Sequence, residues 1–224
     1  LLHTDPDGNT DIDAGPNARV YHFAGTEHGL GIWPPTDTTD FVEGLSKTQN
    51  LRGVVNYAPL LRVCLVNLDR WVSEGVEPPD SSHPRLDDGT AMPPSALKPF
   101  FDRVPGANYP AHHALPHRRD YAPANGTEYP TVLPPRTGGE YGGLVSAVDE
   151  SGNELGGIRL PEISVPLASH TGWTLRHEDI GGETQLLMFA GGTIPLALTA
   201  PERAASGDPR RSVAERYASK DDYI

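Results

Sequence analysis

One histidine, His28, stands where a side chain can serve as a catalytic base. It follows an apolar and aromatic run, residues 19–23 (RVYHF), and lies between Gly25 and Gly29. Glycine adopts backbone conformations that other residues avoid, so this segment can turn sharply and project an imidazole. An imidazole can take a proton from a nucleophile and return it to a leaving group. A loop histidine is also often a hydrogen-bonding or capping residue, and the local sequence leaves both interpretations open.

The sequence before His28 lacks the nucleophile that such a base would serve. No Ser or Cys precedes the histidine, and no G-x-S-x-G occurs anywhere; Gly44-Leu45-Ser46 is nearest, but it follows the histidine and lacks the closing glycine. Glu27 is a weak candidate to orient the imidazole, because adjacent side chains of an extended backbone point in opposite directions. The other acids that could orient it are Asp5, Asp7, Asp11 and Asp13.

Two further clusters have metal-ligating residue types without a complete motif. Residues 5–13 (DPDGNTDID) carry oxygen ligands at alternate positions, but they lack the sixth-position glycine and the closing glutamate of a calcium loop. A solvated acidic loop is the simpler interpretation. His112, His113 and His117 could suggest zinc, but Pro110 and Pro116 break any helix that would align them. We therefore expect no metal and no cofactor.

The elements that would position His28 are a strand and a helix. Residues 19–23 are typical of a central strand in a parallel sheet. A helix is predicted from Pro59 to Glu74, with Gly75 as its C-terminal cap. Its residues at three- and four-residue spacing predict an apolar face that packs on the sheet. These residues are Leu61, Cys64, Leu65, Leu68, Trp71 and Val72.

The remaining sequence predicts irregular, β-rich structure. Residues 77–143 are rich in Pro, His, Asp and Gly and predict an extended wrapping segment. Residues 144–148 and 154–160 predict a β-hairpin around a turn at residues 149–153, and residues 163–167 predict a further strand.

Three helix starts are predicted near the C-terminus. Each pairs a hydroxyl with a carboxylate three residues later: Thr199 with Glu202, Ser212 with Glu215, and Ser219 with Asp222. The third is followed by two residues, and the sequence begins at Leu1 rather than Met. We therefore expect the chain to be part of a longer protein.

Composition excludes several classes of function. The formal net charge is −12, and no cluster of Lys and Arg is present to bind nucleic acid. No apolar run is long enough to span a bilayer, so we expect no membrane insertion. Cys64 is the single cysteine, which excludes an internal disulfide and a multi-thiolate metal site.

Four short segments together resemble the C-terminal half of a bacterial "alpha/beta hydrolase domain" family. They are residues 20–29 (VYHFAGTEHG), 157–162 (GIRLPE), 171–176 (TGWTLR) and 206–210 (SGDPR), and their order and spacing extend over nearly the whole chain. The resemblance implies an α/β fold: the C-terminal part of an α/β-hydrolase-like sheet, with an irregular, β-rich C-terminal extension. It divides the chain into the end of the hydrolase core, residues 1–76, and a wrapping segment, residues 77–224.

The resemblance also implies a function. In this fold the triad runs Ser, then Asp or Glu, then His, so the base comes last. Only His28 can be assigned; the serine, on a G-x-S-x-[GS]-like turn, and the acid would both lie upstream of Leu1. The substrate would be a small ester or related acyl compound, a class-level inference from the fold. This chain alone would be inactive.

A second function from another class remains open. The chain could be a noncatalytic, β-rich accessory or ligand-binding module, with residues 144–167 as its binding region. Trp33 and Trp173 could line a pocket or stack on a sugar, but buried aromatic residues mostly serve packing and do not decide between the functions. The upstream sequence distinguishes the two functions. A hydrolase requires a strand, a serine turn and a helix there, whereas a binding module does not.

Overall fold

The computed structural model describes residues 3–38, 46–113, 115–122 and 130–223, and regular structure within them is short and scattered. The helices are α1 (Ala58–Glu74), α2 (Lys98–Phe101), α3 (Pro161–Ser164), α4 (Ala200–Ser206) and α5 (Val213–Arg216). The strands are β1 (Leu51–Arg52), β2 (Ala91–Met92), β3 (His117–Asp120), β4 (Arg136–Glu140), β5 (Val145–Ser146), β6 (Ala168–Thr171) and β7 (Gly192–Pro195). In the part of the chain that the structure describes, no helix is long and apolar enough to cross a bilayer.

The strands form three small antiparallel sheets. Strand β7 lies between β1 and β6 in the largest, and its Thr193 is opposite both Leu51 and His170. Strand β2 pairs with β5, and β3 pairs with β4. The predicted remnant of a parallel sheet is not formed by the described residues.

Residues 19–23 are extended but form no strand, which corrects the prediction. Tyr21 and Phe23 each make one isolated parallel bridge, to Ser82 and Ile158. Two residues after Ser82, Pro84 has no N–H to extend the pairing. Beside Ile158, the backbone of Gly157 leaves the extended region at a φ of 90°.

Helix α1 begins within one residue of its predicted start and ends where predicted. Pro59 lies in its first turn, and Gly75 adopts the left-handed conformation, with φ 71° and ψ 15°. The N–H groups of Gly75 and Val76 donate to the carbonyls of Trp71 and Arg70. Because glycine reaches this conformation without a steric penalty, it ends the helix here.

The predicted packing face of α1 is wrong. Leu61, Leu65 and Leu68 are 51%, 67% and 52% exposed. Of the predicted face only Cys64 and Trp71 are partly buried, and they share a narrower stripe with Leu60 and Asn67. The Arg19 guanidinium lies 5.0 Å from the centroid of the Trp71 ring. Since residues 19–23 form no sheet, they cannot cover the broad apolar face that the periodicity predicts.

The turn of the predicted hairpin is present, but the predicted strands on either side of it form only one bridge. Val148 and Glu154 form one antiparallel bridge across the turn, whereas β5 pairs with β2. Residues 163–167, predicted as a strand, contain the end of α3, and β6 begins only at Ala168. Pro161 favours a helix start here because its fixed φ suits the first helical turn.

Two of the three helix starts predicted near the C-terminus are confirmed, and no helix follows the third in the described residues. Thr199 with Glu202 and Ser212 with Glu215 form complete capping boxes, at the starts of α4 and α5. The backbone N–H and hydroxyl of Ser212, then the Arg203 guanidinium, lower the pKa of Glu215 to about 2. At the third site the N–H of Asp222 donates to Ser219 Oγ at 3.3 Å.

The apolar core is small and centred on aromatic rings. Phe101, Tyr109 and Trp173 pack against one another at centroid distances of 5.3 to 5.6 Å. A second cluster joins Ala24, Val55 and Ile163. Apolar packing of this extent leaves much of the interior to polar side chains.

The largest fully buried side chain is a cation, Arg210. Its guanidinium donates to both oxygens of Asp208, which is also buried, at 2.7 to 3.2 Å. It donates as well to Ser169 Oγ and to the carbonyls of Ile194 and Pro195, at 2.8 to 3.0 Å. All three guanidinium nitrogens are thus paired, and they join the segment after α4 to β6 and β7.

We expect Asp208→Ala to lower the free energy of unfolding by about 3–5 kcal/mol, because it leaves the buried Arg210 charge without its partner. Asp102→Ala is the matched control, since Asp102 pairs with Lys98 at the surface, where such pairs contribute about 0–1 kcal/mol. Urea denaturation of both variants measures the difference. Equal losses would show that the buried pair is dispensable.

The buried strand β6 contains a histidine, His170, that is held neutral. Burial lowers its pKa to about 4, and its Nδ1 lies 3.4 Å from Thr193 Oγ1. The unfolded chain, with an ordinary histidine pKa near 6.5, therefore binds this proton more readily than the folded chain. Stability from the neutral ring is present above that pH and is lost as the pH falls towards 4.

Between pH 6.5 and 4, we expect the unaltered chain to lose about 3 kcal/mol more of its unfolding free energy than His170→Gln, which cannot titrate there. The measurement is urea denaturation across this pH range. His112→Gln, at an exposed position, should retain the full pH dependence. A His170→Gln profile parallel to that of the unaltered chain contradicts the prediction.

Candidate functional site

The turn that carries His28 begins at a glycine that no other residue could replace without strain. Gly25 has a φ of 66°, and an added Cβ would lie 2.4 Å from Ile163 Cδ1. Its N–H donates to Glu154 Oε2 at 2.7 Å. Gly29, which the sequence suggested for the same purpose, has no such constraint: an added Cβ would meet only Glu27 Oε1, at 3.9 Å. The sharp change in backbone direction is therefore made at Gly25, before His28.

Glu27 fixes this turn from inside the protein. Its carboxylate is buried and accepts two hydrogen bonds from Arg52, Nε to Oε2 at 3.1 Å and Nη2 to Oε1 at 2.9 Å. The N–H of Gly191, next to β7, donates to Oε2 at 2.7 Å. One carboxylate therefore joins the turn to both β1 and the start of β7. These contacts of Glu27 hold the backbone of the turn rather than the imidazole.

The His28 side chain is exposed on the outer side of this anchor. Its ring stacks on Phe189 with centroids 4.3 Å apart and planes at 28°. The Tyr57 hydroxyl, beside the first turn of α1, donates to the His28 carbonyl at 2.6 Å. The backbone and one ring face are held, while the ring remains accessible to a reacting group.

The acids that precede His28 are bonded elsewhere. Asp5 accepts from the N–H groups of Asn9 and Thr10, and Asp7 pairs with Arg118. Asp11 accepts from the N–H groups of Leu86 and Asp87, and Asp13 pairs with Arg85. Histidines that contact a carboxylate in the described ranges are His22, His117 and His177. The structure does not bring His28 together with any of the four aspartates.

The two metal-like clusters do not assemble into sites. Across residues 3–38, 46–113, 115–122 and 130–223, no three His, Cys, Asp or Glu side chains are placed to hold an ion together. In the acidic loop the carboxylates serve as turn caps and ion-pair partners. Of the nearby histidines, His117 lies in β3 and His113 packs on Tyr109 at a centroid distance of 5.6 Å.

Sequence reasoning missed the residues that support His28. Arg52 and Gly191 are distant from Glu27 in sequence, and no local pattern pairs them. Phe189 has a φ of 66°, a conformation rare for a bulky residue, and no motif marks it. The two tryptophans differ: Trp33 is 80% exposed, whereas Trp173 lines a cavity with Thr26 in its wall.

Comparisons with known proteins identify one family. A family model described as an alpha/beta hydrolase domain matches residues 3–224. No curated protein and no solved structure is significantly similar to the chain.

We expect Glu27→Gln to lower the unfolding free energy by about 3 kcal/mol, because it leaves the largely buried Arg52 without a countercharge. It should also loosen the turn, which would reduce the ring-current shift that Phe189 imposes on the His28 ring protons. Urea denaturation and proton NMR provide the two readouts. Glu77→Gln is the control, because its carboxylate pairs with Arg19 while 68% exposed. An unchanged His28 spectrum in Glu27→Gln would contradict the anchoring role.

Proposed function

The chain belongs to the alpha/beta hydrolase domain family, and from this we propose that it carries the general base, His28, of a serine-type hydrolase. The substrates proposed are esters or related acyl compounds. The observation that supports this most directly is the geometry of the turn: an accessible imidazole on a backbone held by a buried ion pair. A catalytic group has to be held in place while its reacting atoms stay reachable.

The proposed chemistry assigns two proton transfers to His28. One ring nitrogen takes the proton of a serine hydroxyl as its oxygen attacks the acyl carbon, and the same imidazole then donates it to the leaving alkoxide. The hydrolytic half repeats these transfers with water in place of the serine. Stacking on Phe189 restricts rotation of the ring without occupying its nitrogens.

We propose that the serine and the orienting acid precede Leu1 in a longer polypeptide. In this fold the nucleophile and the acid come before the histidine in the chain, and residues 1–27 contain no Ser or Cys. The aspartates within that stretch are bonded to other groups. On this proposal residues 1–76 belong to the hydrolase core, and residues 77–224 form the wrapping segment.

The exposure of His28 fits a site that is completed by residues upstream of Leu1. Acyl transfer proceeds in sites from which water is largely excluded, and the described residues cover His28 on the Phe189 side. The apolar face of α1 next to Tyr57 is also exposed. Upstream residues would supply the missing walls together with the nucleophile.

The chain alone should show no esterase turnover above His28→Ala, since a base without its nucleophile leaves only weak background catalysis. A fluorophosphonate probe, which labels activated serines covalently, should label none of its serines. Stoichiometric labelling of any serine in this chain would contradict the proposal.

The longer coding sequence provides the stronger test. Upstream of Leu1 it should encode a strand, a G-x-S-x-[GS] turn and a helix, followed by an acid at the end of a later strand. In that protein His28→Ala should lower kcat by about 10³-fold or more with the fold intact. His112→Ala, at an exposed loop position, should retain activity. An absent serine turn, or a His28→Ala enzyme that keeps most of its activity, would favour a binding module instead.

A further inference from the structure

A cavity of about 370 Å³ lies beside the aromatic core, distinct from the exposed ring of His28. Its volume falls in the range of small-molecule sites in proteins. One side is formed by Phe101, Tyr109 and Trp173, and the other by polar residues, among them His22, His113 and His170. The region predicted as a hairpin contributes Val145, Val148 and Glu154.

The aromatic side is closely packed. Its three rings contact one another edge-on or stacked. The Tyr109 hydroxyl donates to the Pro94 carbonyl at 2.7 Å, and burial raises its pKa to about 12. This wall therefore offers ring faces and edges without a charge. Such a preformed surface binds a ring with little loss of side-chain entropy.

The polar side carries neutral hydrogen-bonding groups and one carboxylate. Burial lowers the pKa of His170 to about 4, and burial together with neighbouring His112 lowers the pKa of His113. Both rings are neutral near pH 7 and can donate or accept. Glu154 is the one carboxylate in the described wall, and it is engaged by His22 Nε2 at 2.9 Å and by the N–H of Gly25 at 2.7 Å.

We propose that this cavity is a binding site for uncharged, ring-containing small molecules that carry one hydrogen-bonding group, such as phenols or aromatic esters. The wall contains no Lys or Arg in the described ranges to pair with an anion. The one carboxylate of that wall, Glu154, adds negative charge that opposes an anion further. Desolvating an unpaired anion is costly, so the cavity selects against it.

The site does not depend on the catalytic role of His28. Thr26 belongs to the cavity wall and to the same turn as His28, but binding requires neither a nucleophile nor turnover. The binding proposal can therefore hold if the hydrolase proposal fails, and the hydrolase proposal can hold if the binding proposal fails. The two are tested by separate measurements, labelling and kcat for one and equilibrium binding for the other.

The test uses two naphthalene probes that differ in charge: 2-naphthol and 2-naphthoate. Isothermal titration calorimetry at pH 7 should give a Kd below about 1 mM for 2-naphthol, or about −4 kcal/mol of binding free energy. 2-Naphthoate should bind at least about tenfold more weakly, because no Lys or Arg in the described wall compensates its charge. Equal affinity for the two probes would overturn the proposal, as would no binding of 2-naphthol.

Position is tested with the tryptophan indole N–H signals, since Trp173 lies in the cavity wall and Trp33 is exposed. 2-Naphthol should shift the Trp173 signal, leave that of Trp33 unchanged and show intermolecular Overhauser effects to the Trp173 ring. His113→Trp should occupy part of the cavity and reduce affinity by about tenfold or more, whereas His112→Trp, next in sequence but outside the wall, should retain it. If His113→Trp fails to fold, the Overhauser effects in the unaltered chain decide. Effects at Trp33 instead, or unchanged affinity in folded His113→Trp, would overturn the proposal.

Discussion

Much of the backbone in this protein lies outside helices and strand ladders, so its buried N–H and C=O groups need side chains as partners. Asn153 shows the arrangement: its amide donates to the Ala168 carbonyl and accepts from the N–H of His170, fixing β6 against the preceding turn. Gln49 joins two other loops by donating to the carbonyls of Arg176 and Glu183. An unpaired buried backbone group costs about as much as a lost hydrogen bond, so these side chains are as necessary to the fold as its apolar residues.

Buried charges also require partners, and one such charge, on Glu27, holds the turn that carries His28. Glu27 and Arg210 each connect segments that are far apart in sequence, one at the turn and the other behind β6 and β7. Both are nearly saturated with partners, which is the condition under which a buried charge is tolerated. The segment 206–210, which carried part of the family resemblance, therefore has a structural explanation in the Asp208 and Arg210 pair.

Local features could be predicted from the sequence, whereas long-range pairing could not. The bounds of α1, the left-handed Gly75 and the two capping boxes depend on residues within one or two helical turns, and each was correct. The strand at residues 19–23 and the packing face of α1 depended on a sheet that the described residues do not form. Glu27 had no local signal, since its partners Arg52 and Gly191 come from later parts of the chain. At the candidate site, the sequence could identify His28 and the glycine before it but not the residues that hold them.

The exposed leucines of α1 have a consequence for how the molecule behaves in solution. Apolar side chains aligned along more than three turns of helix favour association, while a net charge of −12 keeps copies apart. The repulsion acts over about 10 Å at 0.1 M salt and is screened as salt rises, whereas apolar attraction is not weakened in this way. Colloidal stability should therefore decline with ionic strength, and dilute, low-salt buffer is the condition in which this chain stays dispersed.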